Sequence, residues 1–393
     1  MQNFEFYCPT DIVFGKGAEE KLADKIRQHG GSKVFLLYGG GSVEKNGILK
    51  KLEEQLNEAD IEFEAMGGVQ PNPVLSFAQE ATAEAIDFDA DMVLAVGGGS
   101  VIDTAKAVAV GLANPDVDIS EYWERGRQIE SCAPIGVVLT ISAAGSETSD
   151  SAVLTIDGTG KKGGAHSDII RPDFAIMNPE FTFTLPPYQI ACGVVDIFMH
   201  TLERYISHIE DNVFTDLVAE ALMKNVIKYG RIAVAHRKNY EAMSEIMWCG
   251  SVSHNNFTGL GRGKDFSAHK LGHVLSGVYD VAHGASLAVM WPAWATYVYE
   301  DKPERFAQWA EQVWGVNAGT PEERSRAGIR LTKEFFEQLG MPTTFSKLGI
   351  GVLSDADIEK MADICTKNDT IRAGVFHPMN KQDVMAIYQS VNK

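Results

Sequence analysis

DMVLAVGGGSVIDTAKAVAVGL, residues 91–112, decides the fold. An unbroken apolar run of five residues, 92–96, ends in three glycines and Ser100, and a helical pattern follows at once. So short and continuous an apolar run suits a strand buried on both faces, as in a parallel sheet. Glycines at the handover to a helix let backbone N–H groups approach a phosphate, and the helix N-terminus adds partial positive charge. The same tetrapeptide, GGGS, stands at 39–42 after KVFLLY (33–38). Working outward, a helix is expected over 43–58, a strand in IEFEAM (61–66), a break at GGVQPNP and a helix over 74–86. IGVVLTI (135–141) is a third apolar run. This β-α-β-α order predicts a mostly parallel sheet with helices on both faces. Tight turns alone would explain one glycine cluster. Two in one parallel sheet point to a nucleotide crevice, although neither is the G-x-G-x-x-G fingerprint.

The character changes at Leu185-Pro186-Pro187, after which the periodicity is helical to the end. The expected division is an α/β dinucleotide-binding domain over 1–185 and a helical, metal-binding catalytic domain over 186–393. With 393 residues, 45% of them hydrophobic, the chain can build two cores. The net charge of -18 argues against nucleic acid and anionic membrane as partners. No apolar run reaches the length of a membrane span, and the first residues lack a signal-peptide pattern. Five scattered cysteines with no C-x-x-C pair suit a reducing compartment, so the expected location is cytoplasmic.

The helical half carries a spaced set of acid and histidine. Asp196 and His200 stand four apart in GVVDIFMHTLERY, on one face of a helix. His269 and His273 repeat that offset in FSAHKLGH, and His283 follows in VAHGAS. Imidazoles with a carboxylate make a borderline site for zinc or iron. The glutamate of H-E-x-x-H is missing, since Lys270 follows His269, so a metalloprotease does not fit. By spacing alone both His269 and His273 qualify as ligands. In the first loop nothing acidic appears before Glu44. Ser42 as a donor and Lys45 as a cation leave room for a 2′-phosphate, which favours NADP(H) over NAD(H).

These residues resemble the iron-containing (group III) alcohol dehydrogenases over nearly the whole chain. GGGSVIDTAKAVA (97–109), GSETS (145–149), TLPPYQIACGVVDIFMHTLERY (184–205) and HKLGHVLSGVYDVAHG (269–284) carry the likeness. It looks closest to the branch of butanol dehydrogenases and NADPH-dependent aldehyde reductases. The resemblance implies a dehydroquinate synthase-like fold, with a Rossmann-like α/β domain and an all-α domain that holds the metal. It implies Asp196, His200, His269 and His283 as ligands of one Fe²⁺ or Zn²⁺, and His273 as a histidine near the metal that is not itself a ligand. One turn from His269, His273 is expected to relay a proton to the alkoxide, the alternative being that it only orients a ligand. It implies Gly97, Gly98, Gly99, Ser100 and Asp103 for the diphosphate. Gly40 and Ser42 are implied for the adenosine ribose, and Thr140, Ser149 and Lys162 for the cofactor cleft. LTISAAGSE (139–147) departs from the family's PTTAGTGSE-like segment, with Ala144 where a hydroxyl is usual.

The expected activity is reversible, metal- and NAD(P)H-dependent interconversion of primary alcohols and aldehydes. The substrate is expected to be small and neutral, because the second half shows no cationic cluster. A homodimer is expected from the resemblance. The rivals are an NAD-dependent glycerol or diol dehydrogenase, a dehydroquinate synthase-like lyase, and a protein that binds metal or nucleotide without turnover.

Overall fold

The computed structural model describes residues 1–209 and 211–393. It divides into two compact units. One comprises residues 7–185 and 237–255, the other residues 1–6, 186–236 and 256–393.

The first unit is a layered α/β structure. In chain order it runs β1 (Asp11–Phe14), α1 (Leu22–Gln28), β2 (Lys33–Tyr38), α2 (Ser42–Lys45), α3 (Ile48–Glu58), β3 (Glu62–Met66), α4 (Leu75–Asp87), β4 (Met92–Gly97), α5 (Gly99–Ala113), α6 (Ser120–Trp123), β5 (Ile135–Leu139), β6 (Ser151–Ile156), β7 (Lys161–His166) and β8 (Phe174–Met177). Six strands form one sheet in the order β1-β8-β5-β4-β2-β3, every pairing parallel. Alternate side chains face opposite ways, as the period of two requires. Phe35, Leu37, Val93 and Ala95 pack with α4 and α5. Val34, Leu36, Leu94 and Val96 pack with α1 and α3. The parallel sheet with helices on both faces is the architecture the sequence pattern predicts.

Three local expectations change. The helix expected over 43–58 is two, because the chain turns at Asn46 and Gly47 before α3 begins. β5 stops at Leu139, short of the expected Ile141. The antiparallel hairpin of β6 and β7 was not signalled, because KKGGAH is polar and glycine-rich. That hairpin covers the outer side of α5, where Ala107 and Val110 meet Ala152 and Leu154. α5 is therefore buried nearly all round.

The direction of strand addition reverses between β2 and β4. From β2 the chain adds β3 on one side, then crosses back to lay β4 on the other. The register makes the strand ends level, pairing Tyr38 with Val96 and Gly97 with Leu139. A reversal of this kind opens a crevice at the carboxyl ends of the strands.

The second unit is helical. It contains α7 (Pro187–Tyr205), α8 (Val213–Ala235), α10 (Ser267–Tyr279), α11 (His283–Val298), α12 (Pro303–Trp314), α13 (Pro321–Gln338), α14 (Phe345–Leu348), α15 (Asp355–Thr366) and α16 (Lys381–Val391). α9 (Tyr240–His254) clusters with the α/β unit instead. Pro187 starts α7, where its fixed φ suits a first helical turn. Capping boxes at Thr320/Glu323, Ser354/Asp357 and Asn380/Asp383 start α13, α15 and α16. From Val194 to Tyr205 every residue of α7 is buried, polar ones included. Among the described residues no helix is long and apolar enough to cross a membrane.

Candidate active site

α7 presents Asp196, His200 and Glu203 at offsets of four and three, which is one helix face. α10 adds His269 in its first turn, and His283 is the first residue of α11. Gly284 sets how closely α11 meets α7. A Cβ there would stand 2.1 Å from the carbonyl oxygen of Cys192, so only glycine lets the two backbones approach.

The result is three imidazoles around one carboxylate oxygen. Asp196 Oδ1 lies 3.5 Å from His200 Nε2, 3.5 Å from His269 Nε2 and 3.6 Å from His283 Nε2. A tetrahedral ion with bonds of about 2.1 Å holds its ligands about 3.4 Å apart. The buried ligand atoms of Asp196, His200 and His269 lie within 4.8 Å of one another. The His283 side chain is more open, at 26% exposure. Asp196 Oδ1 and His269 Nε2 are buried without a hydrogen-bond partner. Bare polar atoms facing each other are costly unless something sits between them, and a divalent cation satisfies both. The residues therefore fit the metal that the sequence implies. Burial opposes protonation of His269, yet Glu203 and Asp196 outweigh it and lift the imidazole to about 9. The place is built for positive charge.

Glu203, fully buried, was missed in the sequence. Its Oε1 accepts from the backbone N–H of Ala268 at 2.6 Å and of His269 at 3.3 Å, and its Oε2 accepts from His269 Nδ1. One carboxylate thus caps α10 and leaves Nε2 as the outward nitrogen of His269. The signal was present in DIFMHTLE, where Glu203 continues the Asp196–His200 face. Phe266, just before α10, is held at φ 54°, a strained setting for an aromatic residue. Its ring stacks edgewise on His269 with centroids 5.1 Å apart. His273 lies one turn beyond His269, its ring centroid 5.1 Å from that of His283.

In the α/β unit, Gly97 ends β4, Gly98 precedes α5, and Gly99 and Ser100 open it. A Cβ on Gly99 would stand 2.8 Å from the Ala144 methyl. The segment after β5 therefore crosses the start of α5 at backbone distance. Gly40 sits in the loop after β2 and Ser42 opens α2, both exposed. Thr140 is buried, its N–H donating to the Gly97 carbonyl at 3.0 Å. Asp103 turns toward the segment that follows β5. Its Oδ1 accepts from Ser146 Oγ at 2.6 Å and its Oδ2 from the Val153 N–H at 2.9 Å. Ser149 is buried against Lys106, and Lys162 Nζ donates to Asn72 Oδ1 at 2.7 Å.

Lys106 is a second residue missed in the sequence. It is fully buried and donates to Ser146 Oγ, the Ser149 carbonyl and Oγ, and the Ser151 carbonyl. Burial drives its ammonium down to about 8, with Asp103 pulling it back. A lysine in AKAVAV normally reads as a snorkelling surface residue.

Residues 9–179 match the model of the "Iron-containing alcohol dehydrogenase" family, and residues 190–392 match "Fe-containing alcohol dehydrogenase family, C-terminal". The chain belongs to the iron-containing alcohol dehydrogenases. It is 36% identical to NADH-dependent butanol dehydrogenase A of Clostridium acetobutylicum, with 99% of each chain covered. It is 37% identical to an NADPH-dependent aldehyde reductase of Escherichia coli, over 89% of this chain and 90% of that one. The crystal structure of an NADH-dependent butanol dehydrogenase A from Thermotoga maritima superposes with a TM-score of 0.95 at 36% identity, covering 100% of this chain and 99% of the other. Iron-containing alcohol dehydrogenase chemistry needs a metal and a nicotinamide. The helical unit of this family member carries residues that fit a divalent metal.

Proposed function

We propose that this iron-containing alcohol dehydrogenase interconverts small neutral primary alcohols and aldehydes, of the butanol dehydrogenase and aldehyde reductase type. NAD(P)H serves as hydride donor, with NADP(H) favoured. The observation that carries the proposal is the ring of His200, His269 and His283 nitrogens around Asp196 Oδ1, all within 3.6 Å. Asp196, His200, His269 and His283 hold one divalent cation, Fe²⁺ or Zn²⁺. When bound, that cation supplies Lewis acidity toward a carbonyl oxygen.

The remaining work falls to this chain's own residues. Glu203 fixes the His269 ring so that Nε2 points at the site. The loop at 97–100 and the N-terminus of α5 receive the diphosphate. Ser42 and Lys45 bind at the adenosine ribose. His273 hands a proton to the product oxygen. A homodimer in the cytoplasm completes the reading. Val213, Phe214 and Leu217, exposed on the first turns of α8, provide apolar surface for a dimer. Among the described residues none of the five cysteines is in a disulfide, which suits a reducing compartment.

The test is oxidation of NADPH and NADH with butanal after chelation, then after return of Fe²⁺ or Zn²⁺. Restored turnover with NADPH preferred is the expected result. No oxidation of either cofactor under any metal would overturn the proposal. A preference for glycerol or 1,2-propanediol over butanol would replace it with the diol dehydrogenase.

A further inference from the structure

The loop after β2 carries opposed charges on one short turn. Ser42 and Lys45 suit a phosphate, yet Glu44 lies between them. The Glu44 carboxylate is folded back over the loop. Its Oε1 accepts from the Tyr38 hydroxyl at 2.7 Å. Its Oε2 stands 3.1 Å from where a Cβ on Gly41 would be.

Tyr38, the last residue of β2, is itself fixed. Its ring lies so close to Gly67 that a Cβ there would be 2.4 Å from it. The flanking loops are tied by Gly68 N–H to the Gly39 carbonyl at 3.1 Å and Val69 N–H to the Tyr38 carbonyl at 3.2 Å. The hydrogen bond to Glu44 holds the Tyr38 hydroxyl above its ordinary value, so it remains a donor. The clamp therefore places a carboxylate at the mouth of the β2 loop, although the strand end itself has no acid.

At a switch-point crevice a diphosphate on the helix N-terminus of one strand directs the adenosine ribose to the neighbouring strand's loop. Here the helix is α5 after β4, and the neighbour is β2. A carboxylate in that loop accepts a hydrogen bond from a ribose 2′-hydroxyl and repels a 2′-phosphate.

We propose that Glu44, clamped by Tyr38, determines how this chain discriminates between NAD(H) and NADP(H), favouring the 2′-hydroxyl and restraining the preference for the 2′-phosphate that Ser42 and Lys45 create. The inference rests on reading the β2 loop as the ribose end of a dinucleotide site. It assigns to a residue on α2 the selector role that a strand-end acid usually fills.

The test is equilibrium binding, by calorimetry, of ADP-ribose and 2′-phospho-ADP-ribose to the intact protein, its Glu44→Gln variant and its Tyr38→Phe variant. These ligands need no turnover. Glu44→Gln is expected to shift the affinity ratio about tenfold toward the 2′-phosphate, and raised salt is expected to shrink the shift. Tyr38→Phe frees Glu44 and is expected to move the ratio the same way by a smaller factor. Because Glu44 is exposed, unchanged thermal stability is expected in both its presence and absence. Tight binding of both ligands with an unchanged ratio in Glu44→Gln overturns the selector role and leaves the dinucleotide site standing. Failure of the unaltered protein to bind either ligand overturns the dinucleotide reading, and the selector with it.

Discussion

Glu203 and His269 form a buried carboxylate–imidazole pair in which Glu203 Oε2 accepts a hydrogen bond from Nδ1–H and the Nε2 atom is left facing Asp196. The same carboxylate caps the helix that carries His269. Orientation of the ligand and anchoring of its helix are therefore one interaction. Glu203→Gln keeps the shape and weakens acceptance from Nδ1. It is expected to lower metal affinity about 10- to 100-fold. Competition with a chelating dye measures this directly, independent of turnover. Glu203→Ala should also destabilise the fold by about 2 kcal/mol, because two buried N–H groups lose their acceptor.

His273 separates proton transfer from metal holding. If its ring relays a proton, His273→Asn lowers kcat by about 100-fold while metal content and affinity stay at the unaltered level. A variant that loses metal but turns over normally when reloaded would show that His273 only positions its neighbours.

Gly99 reports on the crossing of α5 by the segment after β5. A methyl there meets Ala144 at 2.8 Å. Gly99→Val is expected to push that segment away and cut ADP-ribose affinity at least about tenfold, with stability lowered by about 1–3 kcal/mol. Calorimetry and thermal melting separate the two effects. Unchanged affinity would place the diphosphate elsewhere.

Asp216 gives the acid limb of stability. Burial raises its carboxyl, but the Arg305 hydrogen bond and charge, together with Arg262, outweigh this and hold it below its ordinary value. A carboxylate depressed in the folded state stabilises fully above its unfolded pKa, about 3.9, and that stability is lost as pH falls through the folded value. Asp216→Asn should therefore cost about 3 kcal/mol at pH 7, since it leaves two buried guanidinium groups unpaired. The gap between variant and unaltered protein should close below about pH 4. A gap independent of pH would mean that packing, not charge, is lost.

Much of this molecule was legible because its signals are local. Short apolar runs mark the buried parallel strands, two of them ending in glycines, and KVFLLY, MVLAV and IGVVL all lie in strands. Short elements escaped for the same reason. β8 has four residues, and β6 and β7 gain their stability by covering α5, not from their own pattern. Lys106 was unreadable because only the surrounding Ser146, Ser149 and Ser151 make its burial tolerable.

By itself the sequence determined the parallel α/β half, the helical half, and a short roster of acids and histidines with a family likeness. Spacing could not choose between His269 and His273, since both lie on one helix at one offset. Only tertiary structure decided which nitrogens converge on Asp196 Oδ1, that Glu203 stands behind His269, and that Glu44 is folded onto Tyr38. These are relations between side chains on different turns, helices and loops. Periodicity records which face a residue occupies, while the partner across that face is set by packing.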